Sequence, residues 1–389
     1  MNRPQRPRPA RTRRGTRILA VVLVAALAWL GWSLGQALTS PGGGSLAERA
    51  AEWARDHYLG PLVTFGEWVS YQPPKIGGKP SFSLGGPTTR PPAESSPAAG
   101  ARRPAASPSA AGPAAPAALS SPAGHPLPGE GRWRVLYRVG RGAAIFGTYL
   151  RPDRVHTSYA AGIVSMSQRR LRFELRPGAQ DPGPGGYGGA RAVIAPGTRR
   201  GLAATFNGGF KMAAAGGGFY LGGTSRGALR AGAASMVYYR DGRLAIGTWG
   251  HGLGLTPGVA GVRQNLRLIV ENGQIPAAVD RNVVSSWGAT LGGGYYVWRS
   301  GAGITRDGRI IFAYGPALDV RTLAGLLRRA GCVRAMQLDI NPDWTNFMYY
   351  RAGASPADPV PEALLPGQVQ PAGRYYSLAS RDFTAVFAR

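Results

Sequence analysis

Three short stretches of this chain carry side chains that could do chemistry together. The first is Phe206-Asn207-Gly208-Gly209-Phe210-Lys211, directly after a β-type run over 202–206. Paired glycines, Gly208 and Gly209, let a backbone turn sharply and approach a ligand, and the Asn207 amide offers both a donor and an acceptor, which suits a sugar hydroxyl. An ordinary Asn-Gly hairpin turn is the competing reading. The second stretch is Leu338-Asp339-Ile340-Asn341-Pro342-Asp343-Trp344, in which Asp339 stands at the carboxyl end of a buried-strand pattern over 333–338. Open sheets bind ligands at that end of their strands. The third is Trp298-Arg299-Ser300-Gly301-Ala302-Gly303-Ile304, where Arg299 presents a planar donor fork matched to phosphate or carboxylate. His251, between Gly250 and Gly252, adds a group that titrates near neutrality. A lone His between glycines is equally a loop residue.

The spacing Asp339, Asn341, Asp343 matches the start of a calcium loop, but Trp344 occupies the position of the required Gly and Tyr350 that of the bidentate Glu. An EF-hand is excluded. A divalent cation held by these oxygens in some other geometry stays open, and no cofactor is assigned. The single cysteine, Cys332, excludes an intrachain disulfide and a Cys-cluster metal site, and its place after Gly331 reads as a buried structural thiol. The Gly-rich stretch 216–223 matches neither a P-loop nor a dinucleotide fingerprint, and no Gly-x-Ser-x-Gly elbow occurs.

The elements that must position these residues are mostly strands. Short β-type runs are predicted over 133–139, 202–206, 236–240, 266–271, 295–299, 310–314, 333–338 and 383–388. Asp241-Gly242, Asn272-Gly273 and Asp307-Gly308 read as hairpin turns between several of them. One convincing helix starts at Asp319 as N-cap, runs through Leu323, Leu326 and Leu327, and stops at Gly331 with Arg328 and Arg329 in its last turn. This pattern predicts an α+β fold, a strand-dominated mixed sheet with few helices.

Ahead of that domain the composition changes twice. Residues 1–17 hold seven Arg and no acid, and precede an uncharged apolar run over 18–38. That length spans a bilayer, and the positive-inside rule keeps the tail cytoplasmic and sends the rest outward. An uncleaved signal-anchor is expected; clipping near Gly35 and Ala37, which would release the domain, is the alternative. Residues 46–71 read as a juxtamembrane amphipathic helix, 72–129 as a Pro/Ala/Ser-rich tether, and 130–389 as the folded domain. The whole chain has a formal net charge of +27, with 46 basic residues against 19 acidic ones. Such a field attracts anions of any chemistry. An Arg excess with few Lys is also what a GC-rich genome produces. The outward location and the lack of a stacking module argue against nucleic acid as a partner.

Taken in order, Asn207-Gly208-Gly209-Phe210, then Arg299-Ser300-Gly301-Ala302-Gly303-Ile304 with Asp307-Gly308-Arg309, then the helix leading to Leu338-Asp339, resemble the phosphodiester glycosidase family. Its members include N-acetylglucosamine-1-phosphodiester alpha-N-acetylglucosaminidase-like domains. The resemblance covers roughly residues 190–347. It implies an α+β fold and hydrolysis of a sugar-1-phosphodiester in a cell-surface or exported glycan. It implies Asp339 as principal catalytic carboxylate, Arg299 and Lys211 on the phosphate, and Asn207 on sugar hydroxyls, with Gly208, Gly209, His251, Asn341 and Asp343 around the substrate. Asp343, Asp280 and His251 are the contenders for a second proton-transfer role. Where the family has Asp-Gly-Gly-Gly-Ser, this chain reads Asp339-Ile340-Asn341-Pro342-Asp343, so the pocket is altered. The rival expectation is a membrane-tethered, non-catalytic module that binds an anionic cell-wall glycopolymer.

Overall fold

The computed structural model describes residues 11–39, 46–57, 71–85, 115–183, 185–187, 191–280, 287 and 296–389, with isolated positions at 59, 63 and 69. Residues 1–10 of the expected tail and 86–114 of the expected tether lie outside the described residues. A helix, α1 (Arg11–Thr39), contains the apolar run. Its 17–39 stretch is long and apolar enough to cross a membrane, a test that a signal sequence also meets. The next helix, α2 (Leu46–Asp56), covers the first part of the expected amphipathic segment and folds back on α1. There the Trp53 indole donates to Ser33 Oγ at 3.0 Å and Arg49 to the Leu38 carbonyl at 2.7 Å.

Three sheets build the rest. The largest has seven strands in the order β1 (Arg134–Val139), β2 (Gly142–Leu150), β3 (Ala161–Met166), β13 (Ile310–Leu318), β12 (Val297–Thr305), β14 (Cys332–Gln337) and β11 (Leu268–Val270). A second runs β7 (Thr224–Arg226), β6 (Phe219–Leu221), β10 (Val259–Gln264), β8 (Ala234–Tyr239), β9 (Leu244–Thr248). A third runs β16 (Val360–Ala363), β15 (Phe347–Arg351), β5 (Leu202–Asn207), β17 (Phe383–Ala388), β4 (Leu171–Arg176). The strand-dominated composition with few helices is as expected. Pairing between these strands is antiparallel throughout, and among the described residues parallel contact is confined to the isolated bridges Asp181–Arg381 and Trp249–Leu253.

Helix α3 (Val320–Arg329) crosses from β13 to β14. Those two strands run the same way, but β12 lies between them, so each meets an antiparallel neighbour. That is why a helix followed by a strand gives no parallel pair here. The helix starts as its sequence requires, with Asp319 Oδ1 accepting from the Thr322 N–H at 2.6 Å. It stops at Gly331, whose φ of 88° an L side chain rarely adopts. The β12–β13 hairpin turns at Asp307-Gly308.

Between the sheets lies the main core, where Phe206, Phe312 and Phe347 meet with ring centroids 4.9 and 5.6 Å apart. Burial of each such ring stabilises the fold by about 1.5–3 kcal/mol. A second core fills the space between the large sheet and α3 and includes Trp287 and Cys332. Cys332 is a free, buried thiol, and burial pushes its pKa up. The flanks of the expected tether belong to the domain. Leu84 is buried, Phe82 packs edge-on against Tyr149, and Gly77 N–H donates to the Val155 carbonyl at 2.7 Å. On the other side, Glu130 is buried and pairs with Arg151 at 3.0 Å while accepting from Ser121 at 2.7 Å.

Candidate active site

The ends of β5, β14 and β17 converge on one crevice. Ser300, in the middle of β12, is where two of the sequence stretches meet. Its Oγ accepts from Asn207 Nδ2 at 3.0 Å and from the Asp339 N–H at 3.1 Å. Its backbone continues the ladder past β14, donating to the Asp339 carbonyl at 2.8 Å and accepting from Leu338 at 2.8 Å. Asn207 completes the unit: its Oδ1 accepts from the Asn346 N–H at 3.2 Å and its Nδ2 also donates to the Gly208 carbonyl at 2.7 Å. The side chains of Asn207 and Ser300 and the backbone of Asp339 therefore form one hydrogen-bonded body, buried within the protein.

Asp339 has both oxygens engaged. Oδ1 accepts from the backbone N–H groups of Ile340 at 2.8 Å and Asn341 at 3.0 Å, and Oδ2 from Arg381 Nη2 at 3.0 Å. Burial pushes the Asp339 carboxyl above the usual carboxylate range, while Arg381 and the two N–H groups pull against it. The Arg381 guanidinium also donates to the Gly209 carbonyl at 3.0 Å and lies 4.8 Å over the Trp344 ring. Beside it Asp382 makes a second ion pair, accepting from Arg263 Nε at 3.0 Å and Nη2 at 3.1 Å, with neither side chain exposed. Desolvation raises the Asp382 carboxyl too, against the pull of Arg263.

This network explains the two glycines. A Cβ on Gly208 would fall inside the Asp382 carboxylate, and one on Gly209 would stand 2.7 Å from Asn265 Oδ1. The backbone comes close to charged side chains of the protein itself. The crevice above the network is a cavity of about 10 Å³, with Asp339, Trp344, Arg374 and Tyr375 among its walls. That is room for about one water molecule, so a larger group enters only where these side chains move apart. The Tyr375 hydroxyl donates to Asn346 Oδ1 at 2.8 Å, and burial raises its pKa.

Of the residues expected from the sequence, Asn207, Gly208, Gly209 and Asp339 line this crevice. Asn341 adjoins it through its backbone, and its Oδ1 accepts from the Asp343 N–H at 2.9 Å in a turn. Arg299 goes elsewhere. Its neighbour Gly301 packs on Leu323 and Leu327 of α3, and Arg299, two residues away, shares that face of β12. The guanidinium donates to the Leu318 carbonyl and to Gln337 Oε1, each at 2.8 Å, and burial lowers its pKa to about 10. Lys211 is half-buried in the turn after the glycines and is not among the crevice walls. His251 is exposed in the loop after β9, and Asp280 is an exposed partner of Arg321 on α3. Sequence reasoning did not find Arg381, Asp382, Arg263, Asn346, Arg374 or Tyr375. The adjacent charges Arg381-Asp382 before an apolar strand were the one local signal.

Among the described residues, no three His, Cys, Asp or Glu side chains gather where a metal ion could be held. Asp339 Oδ1 and Asn341 Oδ1 accept from backbone N–H groups, so a cation would have to displace these bonds.

No family model and no curated protein matches the chain. Among solved structures, it is similar to the catalytic domain of zebrafish N-acetylglucosamine-1-phosphodiester alpha-N-acetylglucosaminidase, auto-inhibited by its pro-peptide. The identity is 14%, the TM-score 0.39, and the match covers 66% of this chain and 88% of that one. A hypothetical protein from Synechocystis matches at 11% identity and TM-score 0.33, over 63% of this chain and 62% of that one. A putative exported protein from Burkholderia pseudomallei K96243 matches at 12% identity and TM-score 0.26, over 59% and 74%.

Proposed function

We propose that the domain is a hydrolase that cleaves the glycosidic C–O bond of a sugar-1-phosphodiester, with Asp339 as its principal carboxylate. One observation carries this reading: Ser300 ties the Asn207 side chain to the Asp339 backbone, bringing two residues far apart in sequence to the wall of one crevice. Water attacks the anomeric carbon, and the bond to the phosphate oxygen breaks with its electron pair leaving on the phosphate. The water proton passes to the ionised Asp339 carboxylate, whose raised pKa makes it a better base than an exposed aspartate. The products are the free sugar and a phosphate monoester. A phosphate leaving group needs little protonation, which relaxes the usual demand for a second carboxyl acid.

In this reading Arg381 and Arg374 meet the phosphate oxygens, because both line the crevice and a guanidinium fork matches two oxygens at once. Asn207 is a positioning residue: its Nδ2 is engaged by Ser300 and Gly208, and it fixes the serine that holds the Asp339 backbone. The helix α1 serves as a single-pass anchor with the Arg-rich tail inside, so the domain faces outward and meets a cell-surface or exported glycan.

The test uses the full chain in detergent, a panel of sugar-1-phosphodiesters, and Asp339→Asn. Turnover by the parent should fall by about 10²–10⁴-fold in the variant. An unimpaired rate in Asp339→Asn would sink the assignment, and a rate abolished by chelator would bring in a divalent cation. The second reading, a tethered module that binds anionic glycan without turnover, is favoured by how little room the crevice leaves for a sugar beside Asp339. Equal binding by both proteins with no turnover would establish it.

A further inference from the structure

Two open grooves lie apart from the crevice and share no wall residue with it. They flank the β8–β9 turn and meet along Tyr239 and Asp241. One, of about 800 Å³, is walled by Arg169, Arg243, Arg309 and Arg389, with Asp241 and Asp307. The other, of about 440 Å³, is walled by Arg172, Arg176 and Arg240, with Glu174 and Asp241. Seven arginines thus face three acids, and the acids are shared: Glu174 pairs with both Arg172 and Arg176. Arg172 is also crowded by the positive charges of Arg176 and Arg389, which together with burial lower its pKa. An anion laid along the grooves would relieve that like-charge repulsion.

We infer that these paired grooves bind an extended anionic glycan, a chain bearing repeated phosphodiester groups. The choice of a phosphodiester glycan rests on the reading of the crevice given above. A remote site for the same polymer would hold the chain while one sugar-phosphate end is presented at the smaller crevice. Single-stranded nucleic acid fits less well, because such grooves stack bases on exposed rings. Tyr187 and Tyr238 are buried, and Arg243 lies 5.1 Å over the ring of Tyr239. A concave surface between strands receives a chain and does not meet the plane of a bilayer.

The experiment measures binding of fluorescently labelled poly(glycerol phosphate) to the full chain in detergent over a salt series. It compares the parent with a quadruple groove variant, Arg169→Gln, Arg172→Gln, Arg240→Gln and Arg243→Gln. A control of equal net charge carries Arg154→Gln, Arg267→Gln, Arg328→Gln and Arg329→Gln, all exposed positions outside the grooves. The groove variant should bind about tenfold or more weakly and lose about three units of salt slope, while the control keeps the parent's affinity. Equal loss in both variants, no loss in either, or tighter binding of single-stranded DNA than of the glycan would overturn the inference. Turnover of a small, single sugar-1-phosphodiester reports on the crevice alone. Absent turnover with intact groove-dependent binding would remove the catalytic reading and leave the groove standing. Intact turnover with no groove dependence would do the reverse.

Discussion

On β12, Arg299 and Ser300 are neighbours in sequence and face opposite layers of the molecule. On the layer shared with α3, Arg299 is a buried cation tied to a carbonyl and an amide side chain, and Gln337 in turn donates to the Trp287 carbonyl at 2.8 Å. The core beside it is that of α3 and the large sheet, and Asp319 is the acid whose charge acts on it. On the other layer Ser300 joins Asn207 and Asp339, and the neighbouring charges are two carboxylate–arginine pairs at the wall of a cavity. Both layers bury polar groups. The layer of Ser300 sets the Asp339 carboxyl at a cavity wall, and that feature separates a site from a scaffold.

The comparison breaks most sharply at Asp339. Asp339→Asn keeps the shape and should remove about 10²–10⁴ of the rate with the fold intact, read by turnover beside circular dichroism. Next in size come the two charges of the second pair. Asp382→Leu or Arg263→Met alone leaves a buried partner uncompensated and should cost about 3–5 kcal/mol in a urea titration, whereas the double variant should recover most of it. If the singles cost nothing, the pair is not buried as described. Arg299→Met should cost about 2 kcal/mol, because the Gln337 amide oxygen and the Leu318 carbonyl lose their donor. The same variant should leave kcat/KM within about twofold, and a hundredfold loss would return Arg299 to the site.

The smallest effect is the slope of stability against pH. Burial raises the Asp339 and Asp382 carboxyls above their unfolded values, so between those values the folded chain binds more protons than the unfolded one. Stability contributed by these groups is therefore full below the unfolded value of about 4 and is lost as pH rises through the folded values. Asp339→Asn should flatten that fall by at most about 1.4 kcal/mol per pH unit. A slope of the opposite sign would mean that the arginines outweigh desolvation.

What the sequence made legible follows from the range of the interactions. The cap at Asp319, the stop at Gly331 and the hairpin turn at Asp307-Gly308 depend on residues within a few positions, and each is where the pattern places it. Strand β2 was not legible, because all nine of its residues are buried and it shows no alternation. The site was half legible. Asn207 and Asp339 stand at strand ends in recognisable motifs, while Arg263 and Asp382 are 119 positions apart and pair only once the sheets have packed. Arg299 illustrates the opposite failure: its chemistry suited an anion, but one step along a strand reverses the face, and the motif alone does not say which face is the site.

Strand β17 sits between β5 and β4 and is preceded directly by Arg381 and Asp382. A chain delivered from its amino end has therefore made every other described strand before the one that joins β5 to β4 arrives. Until then the Asp339 carboxylate lacks its arginine, and Arg263 lacks its acid. The reactive group is thus assembled last, and a chain halted short of residue 381 holds one partner of each ion pair and completes neither.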